Sequence, residues 1–298
     1  MTTATVDELF DTEFLRRLDS LTLAARQLVK GRQRAQRRAS THGASVEFAE
    51  YRPFTDGDDW RYIDWNAFAR WRQLVLKLFI EEEDWHIHLL IDNSRSMSLG
   101  TKYDYARQTA GGLAYLGLAN LDRVSAVPLQ QNAAHRWPPT RGKDRFMLFL
   151  RYLAALPVMD EVKSLEEHVR TWLSGKPRRG LTVLLSDLWG RDLEDAFRAL
   201  DRLRYSRQEI AIIQIADPSE SEAGNPGEYL LEDCEEGLSR LTLIDSKSAS
   251  AYRENYKNYQ NALRSYCRRY QIALIQTDTS LPVGDLLLHT LQQGGFVE

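Results

Sequence analysis

The chain has little of what marks a specialised protein. Among its 298 residues are only two cysteines, Cys234 and Cys267, far apart and in no C-x-x-C pattern. That excludes a disulfide scaffold and a thiolate zinc cage, and reads as free thiols in a reducing compartment. No apolar run reaches the roughly 18 residues needed to span a bilayer, and the opening residues hold no secretory-type apolar segment, so the cytoplasm is the expected location. Neither sign of charge prevails: 39 Lys and Arg face 42 Asp and Glu, leaving a net charge of -3 and no overall pull towards nucleic acid or membrane. Catalytic signatures are missing too, with no G-x-S-x-G, no Cys–His arrangement and no G-x-x-x-x-G-K-[ST] loop. What is there, 43% hydrophobic and 27% charged residues, fits a globular chain of one large or two ordinary domains.

Residues 6–38 read as a helix, because Phe10, Phe14, Leu18, Leu21, Ala25 and Leu28 recur at three- and four-residue steps. Its far end gathers Arg26, Lys30, Arg32, Arg34, Arg37 and Arg38. These cations suit the negative pole of a helix dipole, or else a docking patch for phosphates or an acidic partner. From Phe48 to Asp84 the texture changes: Trp60, Trp65 and Trp71, with Trp85 just beyond, alternate with Asp58, Asp59, Asp64, Arg61, Arg70 and Arg72. Aromatic–arginine interleaving can bind single-stranded nucleic acid, but acids in nearly equal number would repel phosphate. The expectation is an internal Asp–Arg network clamped by packed indoles. Residues 1–84 are therefore an N-terminal helix with a Trp-rich accessory segment, and 85–298 a second domain.

That second domain alternates apolar runs with amphipathic stretches. Strands are predicted at Ile87–Ile91, Val124–Leu129, Leu181–Leu185, Ile210–Ile215 and Ile272–Gln276, with helices between them at Tyr103–Asn120, Arg145–Leu156, Ser164–Leu173, Asp192–Tyr205 and Tyr252–Tyr270, and a last one at Gly284–Gln293. Near-continuous apolar strands alternating with helices imply a three-layer, doubly wound, mostly parallel sheet. Ligands of such sheets bind at the carboxyl ends of the strands. Asp217 to Glu236, rich in acids and without a basic residue, is expected as a solvated insertion ending in a short strand pair. Tyr252, Tyr256, Tyr259, Leu263, Tyr266 and Tyr270 form the packed face of the long late helix. His86 and His88 share one face of a strand and could chelate a metal, but with no third ligand in view they read as a strand-edge packing feature.

The strongest signal is Asp92-Asn93-Ser94-Arg95-Ser96 directly after an apolar strand. One carboxylate and two hydroxyls on a tight loop supply part of the oxygen shell that hard cations take. The D-x-S-x-S loop resembles the metal-ion-dependent adhesion site of von Willebrand factor A domains. Upstream, Tyr51-Arg-Pro53, Gly57-Asp58-Asp59, Arg61, Ile63-Asp64-Trp65, Ala69-Arg70, Lys77 and Glu81 are similar to the signature of the bacterial domain of unknown function family 58, with Asp56 where that family usually has proline. The resemblance is close over about residues 40 to 190. It implies a von Willebrand factor A-like (Rossmann-like) fold and a metal site of Asp92, Ser94 and Ser96 with Asp187 after a later strand, taking Mg2+, or else Mn2+ or Ca2+. The family's third-loop threonine aligns with Lys163, whose ammonium could fill the site itself; a one-residue shift would let Ser164 serve. Ser164 is equally a helix N-cap with Glu167 as capping-box partner. The resemblance also implies a non-catalytic adaptor that works with a MoxR-type AAA+ ATPase and binds an acidic segment of a client. The competing readings are a nucleic-acid-binding module on the basic helix and a metal-dependent hydrolase, for which no general base is in view.

Overall fold

A computed structural model describes residues 5–18, 47–55, 58–80, 85–129, 135–159, 164–189, 193–221, 227–232 and 239–292. The chain divides into two compact units, 1–25 with 85–298, and 26–84.

The larger unit is a mixed α/β layer structure around a mostly parallel sheet. Its strands are β3 (His86–Ile91), β4 (Arg123–Pro128), β5 (Trp137–Thr140), β6 (Leu181–Ser186), β7 (Glu209–Ala216) and β10 (Ala273–Asp278), in the order β10-β7-β6-β3-β4-β5. All neighbours are parallel except β4 and β5. After β3 the chain builds outward to β4 and β5, then returns to the other side of β3 with β6, β7 and β10. The order therefore reverses between β3 and β6, where such sheets open a crevice.

Side-chain alternation assigns each strand residue to one face. Leu89, Ile91, Val183, Leu185, Ala211 and Ile213 enter one core, while Leu90, Leu184, Ile210 and Ile212 enter the other. Helices α4 (Lys102–Ala119), α5 (Phe146–Ala154) and α9 (Val283–Gln292) supply the first core; α6 (Leu165–Ser174), α7 (Leu193–Tyr205) and α8 (Ser246–Arg269) supply the second. Removing a Leu or Ile side chain of this kind from water contributes about 1.5–3 kcal/mol. The tyrosine face of α8 packs as expected: Tyr266 stacks on Phe197 at 4.1 Å, and Trp189 sits among Tyr252, Tyr256 and Tyr259. Burial pushes the Cys267 thiol up to about 12, which leaves it inert; Cys234 lies outside the described residues.

The N-terminal expectation is corrected in two ways. Helix α1 (Val6–Leu9) opens with a capping box on Thr5, and a separate helix α2 covers residues 12–18, begun by Asp11, whose Oδ1 accepts the Phe14 amide at 2.6 Å. Asp11 satisfies amides of the second helix better than it would continue the first. Phe10, Phe14 and Leu18 join the first core, so these helices group with the sheet unit and not with the Trp-rich segment. The rest of the expected helix, residues 19–38 with its arginines, lies outside the described residues. Sequence reading also missed β5, because Pro138 and Pro139 argue against a strand; an edge position tolerates them.

The second unit contains an antiparallel ribbon of β1 (Glu47–Pro53) and β2 (Val75–Ile80) joined through helix α3 (Trp65–Trp71). Asp64 is buried: its Oδ1 caps α3 by accepting the Asn66 and Ala67 amides, and its Oδ2 accepts the Tyr51 hydroxyl at 2.9 Å. Among the described residues the indoles do not clamp the Asp–Arg pairs. Asp58 pairs with Arg52, Asp59 pairs with an exposed Arg61, Arg70 is exposed, and Trp60, Trp65 and Trp71 are 68%, 58% and 54% exposed. Each acid is satisfied by its own turn or neighbour, so no indole is needed to shield a charge. Asp64→Ala is expected to cost this unit about 1–2 kcal/mol through the lost cap, and Arg70→Ala close to nothing, as read in paired thermal melts.

Candidate functional site

Strand β3 ends at Ile91 beside Leu185 of β6, and the Asp92 amide donates to the Leu185 carbonyl at 2.9 Å. The two loops that follow are thereby set side by side. Asp92, Ser94 and Asp187 are all buried. Asp92 Oδ1 accepts the Ser94 amide at 3.0 Å and Oδ2 accepts the Ser186 hydroxyl at 2.6 Å. The chain then tightens into a 3-10 turn, Ser96–Ser98, which brings Ser94 Oγ and Ser96 Oγ to 3.0 Å. Met97 turns inward, and its sulfur accepts the Asp187 amide at 3.3 Å, tying the loops together. Asp92, Ser94, Ser96 and Asp187 thus share one corner of the carboxyl edge.

A residue that the sequence reading did not single out completes this corner. The side chain of Lys102, at the start of α4, is 1% exposed; its Nζ donates to Asp187 Oδ2 at 2.8 Å and also to Glu220 Oε1. Glu220 comes from the 3-10 turn Pro218–Ser221 after β7. The acid-rich insertion is therefore not wholly solvated, because a buried ammonium draws one of its carboxylates inward. Burial opposes the Lys102 charge, but Asp187 and Glu220 hold its pKa above the ordinary lysine value. Burial pushes the Asp187 carboxyl up to about 6; Lys102 pulls against that and Asp92 adds to it. Lys102 was detectable: with Ala106, Ala110 and Leu113 it lies on the buried stripe of α4, and a lysine there requires a counter-charge.

Gly100 makes the turn from this loop into α4 with φ +62, where a Cβ would stand 2.4 Å from Asp217 Oδ2. Asp217 and Asp278 continue the row of acids along the carboxyl edge beyond Asp187, and a cleft of about 250 Å3 opens between these strand ends and α8. The Ser164 hydroxyl oxygen caps α6 by accepting the Glu167 amide at 3.2 Å, the helix-cap role its sequence context allowed. Asp195 takes the next α6 amide, that of Leu165. Lys163 lies outside the described residues. The strand histidines sit at the opposite, amino end of β3. There His88 donates from Nε2 to the Arg178 carbonyl at 2.9 Å and meets Ser125 Oγ at 2.7 Å, a packing role.

The corner has features that suit a hard cation. Neighbouring oxygens of an octahedral Mg2+ shell with 2.0–2.1 Å bonds stand about 2.9 Å apart, close to the 3.0 Å between the Ser94 and Ser96 hydroxyls. Lys102 bridges Asp187 and Glu220, so one ammonium serves two carboxylates beside Asp92. Among the described residues no group of three His, Cys, Asp or Glu gathers as a metal cage, so hydroxyls and water would complete any shell.

A profile of the family described as "Protein of unknown function DUF58" matches residues 50–266. The chain is 26% identical over 261 residues to Uncharacterized protein Rv1480 of Mycobacterium tuberculosis and, equally, to Uncharacterized protein Mb1516 of Mycobacterium bovis, covering 82% of this chain and 80% of each relative. Among solved structures it is similar to the conserved hypothetical protein BatB from Bacteroides thetaiotaomicron (TM-score 0.39, 13% identity, 70% of this chain and 98% of that one). A second is an aerotolerance-related membrane protein from Bacteroides fragilis (TM-score 0.40, 12% identity, 70% and 99%). Among the described residues no helix is long and apolar enough to cross a membrane.

Proposed function

The chain belongs to the DUF58 family, and from that membership and the Asp92–Asp187 corner we propose that it is a non-catalytic adaptor of von Willebrand factor A type, docking protein partners through an adhesion-like site. The observation that carries this reading is the pair of serine hydroxyls beside two buried aspartates, at the carboxyl edge where the strand order reverses. Ser94 and Ser96 would hold Mg2+ directly, and Asp92 and Asp187 would hold it through water, since Mg2+ dehydrates reluctantly. The ion, when bound, supplies a positive point for a partner's carboxylate on an edge that is otherwise acidic. The partners proposed are a MoxR-type AAA+ ATPase and an acidic segment of its client. Exposed leucines on the ribbon of β8 (Gly227–Glu232) and β9 (Ser239–Ile244), Leu230, Leu241 and Leu243 among them, add a protein-binding surface.

Calorimetric titration of Mn2+, with the Ser94→Ala/Ser96→Ala double variant as control, tests the site. At least tenfold weaker binding in the variant, with circular dichroism unchanged, is expected; equal binding rejects the assignment. Retention of the ATPase on immobilised protein should then fall with EDTA and in the same variant. No turnover of phosphoesters, peptides or nucleotides is expected, because among the described residues no nucleophile–base pair adjoins Asp92. Metal-dependent turnover abolished by Asp92→Ala would replace the adaptor with a hydrolase. A second reading draws on the exposed Trp60, Trp65 and Trp71 beside Arg61, Arg70 and Arg72, a composition that can stack single-stranded bases. A steep fall of oligonucleotide affinity with salt would favour it.

A further inference from the structure

The amino edge of the sheet, at the opposite ends of the same strands, has the reverse electrostatic character. A cavity of about 670 Å3 opens there, within the size range of small-molecule sites. His86 and Arg123 begin β3 and β4, and the loop Gly175–Arg178 leads towards β6. Four cationic side chains, Arg123, Arg136, Lys176 and Arg178, face it, and among the described residues its lining holds no carboxylate. Trp137 and Trp172 provide apolar wall. The floor is fixed by His88, whose ring is spent on Ser125 and the Arg178 carbonyl and meets Trp172 edge-on at 5.2 Å.

Arg136 is the telling residue. Its Nε is buried without a hydrogen-bond partner, and its Nη1 lies near Gly175, 3.9 Å from where a Cβ there would stand. Burial pulls its pKa below the ordinary arginine value with no acid opposing the shift. A partly buried guanidinium whose Nε donor is shielded from water and unused is costly unless an anion completes it. Guanidinium forks match the oxygens of phosphate and carboxylate in bidentate fashion, and a cluster of cations exceeds what one carboxylate needs.

We propose that this cavity binds a small phosphate-bearing anion, a phosphate ester or a polyphosphate, seated on Arg136 and flanked by Lys176 and Arg178. The aromatic walls would take an attached ring by stacking.

The test uses the full chain, with sodium pyrophosphate, AMP and sodium acetate titrated separately by calorimetry at low salt. Pyrophosphate and AMP should bind and acetate should not. Arg136→Gln and Lys176→Glu should each weaken both phosphate probes at least tenfold. Lys176 is exposed, so its variant should melt like wild type and separates lost binding from lost folding. Absence of phosphate binding at millimolar concentration overturns the proposal, as does equal binding by both variants or equal binding of acetate.

Discussion

Lys102→Met is expected to destabilise the sheet unit by on the order of 3–5 kcal/mol, because it leaves Asp187 and Glu220 buried together without their shared cation. Methionine keeps the length and most of the volume of lysine, so the effect isolates charge from packing. For a unit of this size the loss corresponds to a melting temperature lower by roughly 6–20 °C. Adding Asp187→Asn should recover part of it, since a neutral amide removes one uncompensated charge. A Lys102→Met protein that melts with wild type would mean the ammonium does not hold the corner. A double variant no better than the single would mean that Asp187 is not the stranded charge.

Gly180→Ala is the second large effect. Gly180 immediately precedes β6, and a Cβ there would stand 2.1 Å from the His86 carbonyl oxygen and 2.8 Å from its carbon. These are backbone atoms of the neighbouring strand, so no rotamer change relieves the contact. The strands must part at their amino ends, disturbing the start of the Ile87–Leu181 register. Overpacking of this kind costs about 1–3 kcal/mol, and the upper end is expected where backbone must move. Denaturant titration should show a lower midpoint with little change in slope. A variant as stable as wild type would show that β3 and β6 are less closely apposed at this end.

Much of the sheet unit was legible in the sequence, because its strands are apolar on both faces and its helices on one. Leu181–Leu185 and Ile210–Ile215 could hardly be anything but buried strands, and each lies within the observed one. Asp92 directly follows such a run, and Asp187, one residue beyond Leu181–Leu185, was singled out through the family resemblance. Relations between distant segments were not legible. Nothing local to Lys102 says that Glu220 will reach it, and nothing local to Arg136 says that Lys176 and Arg178 will face the same cavity. The Trp-rich segment misled because composition cannot tell an acid satisfied within its own turn, as Asp64 is by α3, from one that needs an arginine and a covering indole.

The pairing of β3 with β6 has a kinetic side. Ile87 lies opposite Leu181, so β4, β5 and helices α4 to α6 must be made and looped out before the central strands can meet. Non-local pairings of this kind slow folding, because loop closure is paid before the contact rewards it. Through that interval the first half of the chain carries Lys102 on a helix face meant for burial, while the carboxylates that neutralise it lie further along. The ammonium must stay in water until β6 and the turn bearing Glu220 arrive. Docking of α4, closure of the central strands and assembly of the acidic corner are then one event, and a fragment ending before β6 should not retain a docked α4.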